Sequence, residues 1–224
     1  VSDMDDARLS GHHSLRKDAR ENRRKILDAA SEAMSELGLN VPMEAIAARA
    51  GVGVGTLYRR FPGRADLVEA LFEDRMESII QDAEASFDFE DGWDGFVWFL
   101  ERIISRQTRD RALGELLMGD AGRGRVAAIR DRLGPLADKI VERAKHSGRL
   151  RSDFDTTDLV MLQKMVCAAG AAAADVKPVL WRRYFTILVD GLATSRSRPS
   201  PQEVEPMTDD ELYRTMHSAP GARR

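Results

Sequence analysis

The sequence is short of the residues on which several kinds of protein depend. It has one cysteine, Cys167, in 224 residues, so a disulfide framework is excluded and stability has to come from apolar burial. Its four histidines are His12, His13, His146 and His217, and none has metal-ligand spacing on a helix. Cys167 has no histidine near it in sequence. There is no Gly-x-Ser-x-Gly elbow and no phosphate-binding loop, and Glu101 and Asp110 stand as isolated carboxylates. No catalytic residue, metal or cofactor is therefore expected. Long apolar runs are missing too. The richest, residues 166–174, is too short and too rich in alanine for a membrane helix. The first residues, Val1-Ser2-Asp3-Met4-Asp5-Asp6, are acidic where a secretory signal is basic. A cytoplasmic protein without a membrane partner is the expectation.

What remains is ordinary globular material, 43% apolar and 32% charged, with a formal net charge of -3. A negative total argues mildly against nucleic acid, but its distribution carries more information. Between Arg8 and Arg64 the basic residues are Arg8, Arg16, Lys17, Arg20, Arg23, Arg24, Lys25, Arg49, Arg59, Arg60 and Arg64. The acids there are Asp18, Glu21, Asp28, Glu32, Glu36 and Glu44. The excess in this span is basic, and the compensating acids lie mostly beyond it. A local positive face is what phosphate requires.

Apolar periodicity predicts helices and no strands. Ile26, Leu27, Ala30, Ala33, Met34 and Leu37 make a stripe on a helix over 19–37, closed by Gly38. Pro42 sits at or just before the first turn of the next helix, which buries Ile46, Ala47 and Ala50. Gly51 supplies a left-handed turn without steric cost. A further helix over 54–61 has Leu57 and Phe61 on one face, and Pro62-Gly63 stops it. Two short helices joined by a glycine turn form a helix-turn-helix. The remainder reads as helices over 64–83, 93–108, 111–118, 124–146 and 156–174, and one opened by Pro178. Gly134-Pro135 is expected to break or bend its helix, Asp155 or Thr156 to cap the next, and 87–92 to form an acidic loop. A short helix over 209–216 is the last candidate.

The motif Ile46-Ala47-Ala48-Arg49-Ala50-Gly51-Val52, then Gly55-Thr56-Leu57-Tyr58-Arg59-Arg60-Phe61, then Arg64 and Leu67, resembles the DNA-binding domain of the TetR (tetracycline-repressor-like) family over residues 22–67. The resemblance implies an all-α protein. An arm over 1–18 would precede an N-terminal three-helix DNA-binding domain over 19–64. A C-terminal helical ligand-binding and dimerisation domain over 65–194 would follow, then a Pro/Ser/Arg-rich tail over 195–224. It also implies a homodimer, a double-stranded DNA operator and a small-molecule effector. The family usually carries Ser or Thr where Gly53 stands, so that position departs from the pattern.

By this resemblance Tyr58 and Arg64 meet phosphate. Gly53, Val54, Thr56, Arg59, Arg60 and Lys25 complete the DNA-binding candidates, Gly53 through its backbone amide. The family places its pocket in helices that here carry Trp98, Phe99, Ile103, Gln107, Leu117, Met118, Met161 and Met165. Their mix of methionine and aromatic side chains suits an adaptable apolar wall. Arg106 and Gln163 are further polar candidates. Core packing explains each apolar one equally well. The last two long helices resemble an intersubunit bundle, with Met165, Ala169, Ala173, Trp181, Tyr184, Phe185 and Leu188 at the interface and Gly170 allowing close approach. Burial within one subunit is the competing reading. The expected function is a repressor released from a palindromic operator by a largely apolar ligand. A helical protein-protein interaction module without specific DNA binding, or a TetR-like activator, is the alternative.

Overall fold

The computed structural model describes residues 21–38, 40–109, 123–174, 176–193 and 208–211. Eight helices of more than one turn stand among them: α1 over 21–37, α2 Met43–Ala50, α3 Val54–Arg60, α4 Arg64–Ala85, α5 Gly92–Arg109, α6 Arg123–His146, α7 Thr156–Ala172 and α8 Trp181–Leu192. The described residues contain no strand. Their one β-type contact is an isolated antiparallel bridge between Leu150 and Ala193. The chain divides into two compact units between Asp74 and Arg75, within α4.

In the N-terminal unit the predicted stripe of α1 is inside: Ile26, Leu27, Ala30, Ala33 and Met34 are buried. So are Met43, Ile46 and Ala47 of α2, Leu57 and Phe61 of α3 and its end, and Leu67, Leu71 and Phe72 of α4. Fully burying one such Leu or Ile is worth about 1.5–3 kcal/mol. Leu37 does not follow the stripe and is 66% exposed. An ion pair between Arg23 and Asp74, 3.7 Å apart, links α1 to α4 across the surface.

The C-terminal unit has one apolar core. Phe96, Phe99, Leu100 and Ile104 of α5, Ile140 and Val141 of α6, Leu159 and Val166 of α7, and Trp181, Phe185 and Leu192 of α8 all belong to it. Phe96 stacks on Trp93 and meets Phe154 edge-on, at ring distances of 5.8 and 5.6 Å. Asp155 caps α7 as expected. Its carboxylate accepts from the Thr157 N–H while the Asp158 carboxylate accepts from the Asp155 N–H, a reciprocal capping box.

Several expectations are corrected. Gly134-Pro135 does not break α6, which runs through Pro135. Proline there removes the hydrogen bond to the Asp131 carbonyl, but both residues are exposed, so water can take that carbonyl. Pro178 does not open the last helix. Residues 178–180 form turns, with the Leu180 N–H donating to the Lys177 carbonyl, and α8 starts at Trp181. The segment after α4 is not wholly irregular, since Ser86–Asp88 is a 3-10 turn and α5 begins at Gly92. The expected arm, the helix over 111–118, most of the tail, and the helix over 209–216 beyond residue 211 lie outside the described residues.

Candidate nucleic-acid interface

The geometry between α2 and α3 follows from one residue. Gly51 adopts φ 65°, ψ 31°, where a Cβ would clash with its own backbone. Its N–H donates to the Ala48 carbonyl (3.2 Å) and the Val52 N–H to the Ala47 carbonyl (3.0 Å). This is a Schellman closure, which satisfies the carbonyls a helix end leaves unpaired. The chain then turns through Val52 and Gly53 into α3.

Leu57 is the buried residue of α3, and the helix turns its other faces outward. Val54, Gly55, Tyr58, Arg59 and Arg60 are exposed, and Thr56 is half-buried. At the front of α3, Gly53 caps without a side chain, its carbonyl accepting from the Thr56 and Leu57 N–H groups at 2.8 and 3.1 Å. The outward surface of this helix therefore offers a hydroxyl, a phenol and two guanidinium groups around bare backbone.

The neighbouring polar residues have definite partners. The Tyr58 hydroxyl donates to Glu44 Oε1 of α2 at 3.0 Å. That bond to Glu44 pushes the phenol above its ordinary range, so the hydroxyl keeps its proton at neutral pH. Arg64, expected at phosphate, donates to the Val41 carbonyl at 2.5 Å and the Asn40 carbonyl at 3.4 Å. It thereby ties the start of α4 to the link before α2. Lys25 pairs with Glu21 one turn earlier on α1 (3.4 Å). Arg49 pairs with Glu36 at 2.5 Å, and its guanidinium holds the Glu36 carboxyl below the usual carboxylate range. The Glu44–Tyr58 bond was beyond sequence reasoning: the two residues are 14 apart and share no helical period.

Family models of known proteins match both units. Residues 26–71 match the bacterial regulatory proteins of the tetR family. Residues 93–194 match the C-terminal domain of SbtR-like transcriptional regulators. The chain belongs to the TetR family. A TetR transcription regulatory protein from Mycobacterium vanbaalenii is similar in structure, with a TM-score of 0.64 and 29% identity, covering 80% of this chain and 99% of that one. The TetR regulator SCO0520 from Streptomyces coelicolor gives 0.61 and 26%, covering 78% and 99%. An HTH-type transcriptional regulator of Staphylococcus aureus is 46% identical over 54 residues, or 24% of this chain. That match spans 29% of the length of the curated relative.

In the C-terminal unit of this TetR protein the pocket candidates separate. Phe99 and Ile103 are buried in the core. Trp98 is half-buried against it, with the Phe89 ring at 5.5 Å and the Arg102 guanidinium 5.5 Å from its centre. Gln107 of α5 accepts a hydrogen bond from Gln163 of α7. Met161 is half-buried and Met165 is 62% exposed. Leu117 and Met118 lie outside the described residues. Arg106 is held at Asp82 of α4, at 2.6 Å, and donates to Ser78. Burial pushes the Cys167 thiol up to about 11, which leaves it protonated and a poor nucleophile.

The interface candidates also divide. Trp181 and Phe185 are buried in their own chain, and Leu188 packs against that core. Gly170 serves the same core: a Cβ there would lie 3.1 Å from Trp181 Cβ and 3.2 Å from Thr108 Cγ2. Ala169 and Ala173 are half-buried. Tyr184 and Met165 face out, and so do Val179 and Ile187, at 59% and 56% exposure. The last two had not been singled out from the sequence.

Proposed function

We propose that this TetR-family protein is a cytoplasmic, homodimeric repressor that binds a palindromic DNA operator and is released by a small, largely apolar ligand. The observation that carries the reading is the exposed surface of α3. Tyr58, Arg59 and Arg60 are exposed and Thr56 half-buried around the helix away from Leu57, with the bare backbone of Gly53 and Gly55 at its front. A short helix with this surface suits a major groove, arginine reading guanine edges and hydroxyls meeting phosphate. Val54, 41% exposed, suits contact with a thymine methyl. Arg64 and Lys25 add positive charge to the same unit. Residues 19–64 would bind DNA, and 65–194 would bind ligand and dimerise.

Dimerisation is supported by the exposed apolar side chains Met165, Val179, Tyr184 and Ile187. A two-fold dimer presents two recognition helices to half-sites about one turn of DNA apart. Ligand binding is supported by the Gln107–Gln163 pair, a polar contact between α5 and α7, one turn of α5 from the buried Ile103. A ligand held there would act on DNA affinity through α4, by favouring one of two states of the dimer.

Capture of sheared genomic DNA by the purified protein, followed by sequencing and a shift assay on the enriched site at stated salt, tests this. One short palindrome bound far more tightly than mixed sequence is the expected result. Weak binding that only tracks ionic strength, with no enriched site, would overturn it and favour the interaction-module reading.

A further inference from the structure

We propose that Glu44 competes with DNA phosphate for the Tyr58 hydroxyl and so sets the affinity of the DNA-binding face. This rests on the reading that Tyr58 meets phosphate. Glu44 lies in the first turn of α2 and Tyr58 in α3. The Gly51 turn fixes the two helices so that the phenol donates to Glu44 Oε1 at 3.0 Å. Tyr58 is 40% exposed and Glu44 is exposed as well, so the bond sits at the surface where a partner arrives.

A phenol has one proton and gives it to one acceptor at a time. A carboxylate oxygen and a phosphate oxygen are acceptors of the same kind, both anionic and both drawing short hydrogen bonds. Without DNA, Glu44 fills the place of a phosphate oxygen. When DNA binds, the hydroxyl turns its proton away from Glu44. The phosphate that takes it comes within two hydrogen-bond lengths of the carboxylate, about 5–6 Å. Two like charges at that distance oppose each other even at a wet surface. Arg64, the cation that acts electrostatically on Tyr58, has its guanidinium donating to the Val41 and Asn40 carbonyls. Glu44 thus lowers affinity for every DNA sequence alike, because phosphate contacts carry no sequence information.

The test uses the full-length protein and a mixed-sequence DNA duplex at low salt, with binding read by fluorescence anisotropy. The variants are Glu44→Ala and Glu44→Gln, each alone and combined with Tyr58→Phe. Glu44→Ala is expected to tighten binding about threefold to tenfold. Glu44→Gln, which removes the charge but keeps an acceptor and the packing of α2, is expected to give a smaller gain. Both gains shrink in the Tyr58→Phe background, where no proton is contested. Equal gains in both backgrounds would overturn the proposal, leaving Glu44 as a bare charge. Weaker binding by both Glu44 variants would overturn it as well, by showing that Glu44 orients Tyr58 for DNA. Tyr58→Phe alone leaving affinity unchanged would sink the underlying phosphate contact.

Discussion

The two units bury the same kind of residue and expose different kinds. Around α3 the surface is arginine, threonine and a tyrosine hydroxyl with one apolar side chain, Val54, among them, and Leu57 alone is turned inward. On α7, α8 and the link between them it includes Met165, Val176, Val179, Tyr184 and Ile187, large apolar side chains left between 44% and 90% exposed. Water tolerates the first surface without a partner. The second surface is costly to leave wet, because each such side chain gains by leaving water. A polar, cationic face suits a polyanion, and an apolar face suits a second protein surface. The difference supports the proposal that DNA binds the N-terminal unit and self-association belongs to the C-terminal one.

The strongest way to break this comparison is to make the second surface polar. Tyr184→Asp combined with Ile187→Asp places two charges on the exposed side of α8 and leaves Trp181, Phe185 and Leu192 in the core. The expected outcome in sedimentation is a folded monomer. Operator affinity should fall by about 10²- to 10⁴-fold, because two half-site contacts no longer act as one binding event. A variant that stays dimeric and binds as before would remove the C-terminal half of the argument.

Two glycines separate the units at the level of stability. Gly170 is tight because neighbours surround it. Trp181 and Thr108 crowd the place a side chain would take, and the Thr108 hydroxyl is held by the Ile104 and Ser105 carbonyls. Gly170→Val should destabilise the C-terminal unit by about 1–3 kcal/mol through overpacking. Gly51 is the opposite case: nothing lies within 4 Å of its would-be Cβ, and its backbone is left-handed. Gly51→Ala should cost about 1–2 kcal/mol from backbone strain alone. Denaturant unfolding of each variant checks both values. A neutral Gly51→Ala would mean that the turn between α2 and α3 adapts without cost.

These glycines also show what a sequence discloses. Gly51 was legible because a single residue type answers a local backbone need, and its neighbours in sequence are its neighbours in space. Asp155 was legible for the same reason. What covers the apolar side of α8 was not. Trp181, Phe185 and Leu188 were candidates for a partner interface and pack on their own chain's core, while Tyr184 faces water, because periodicity finds an apolar side without saying what lies against it. Pro178 misled because its fixed φ suits a turn as well as a helix start. The contacts of Arg64 with Asn40 and Val41, and of Tyr58 with Glu44, join residues 14 to 24 positions apart. No local rule reaches that far.

The smallest expected effect tests the bareness of the recognition helix. Gly53 precedes α3 with φ -65° and ψ 142°, extended backbone that serine adopts without strain. A Cβ there would meet only Thr56 Oγ1, at 4.0 Å. Gly53→Ser should therefore fold normally and gain a few tenths of a kcal/mol, as its hydroxyl caps a backbone N–H that α3 now leaves without a side-chain acceptor. The same hydroxyl adds one more donor at the front of α3 for a phosphate oxygen, so affinity for mixed-sequence DNA should rise by about twofold. A gain in stability without one in affinity would place the front of α3 away from the DNA backbone. Base contacts through Val54, Thr56 and Arg59 would then have to do more of the recognition.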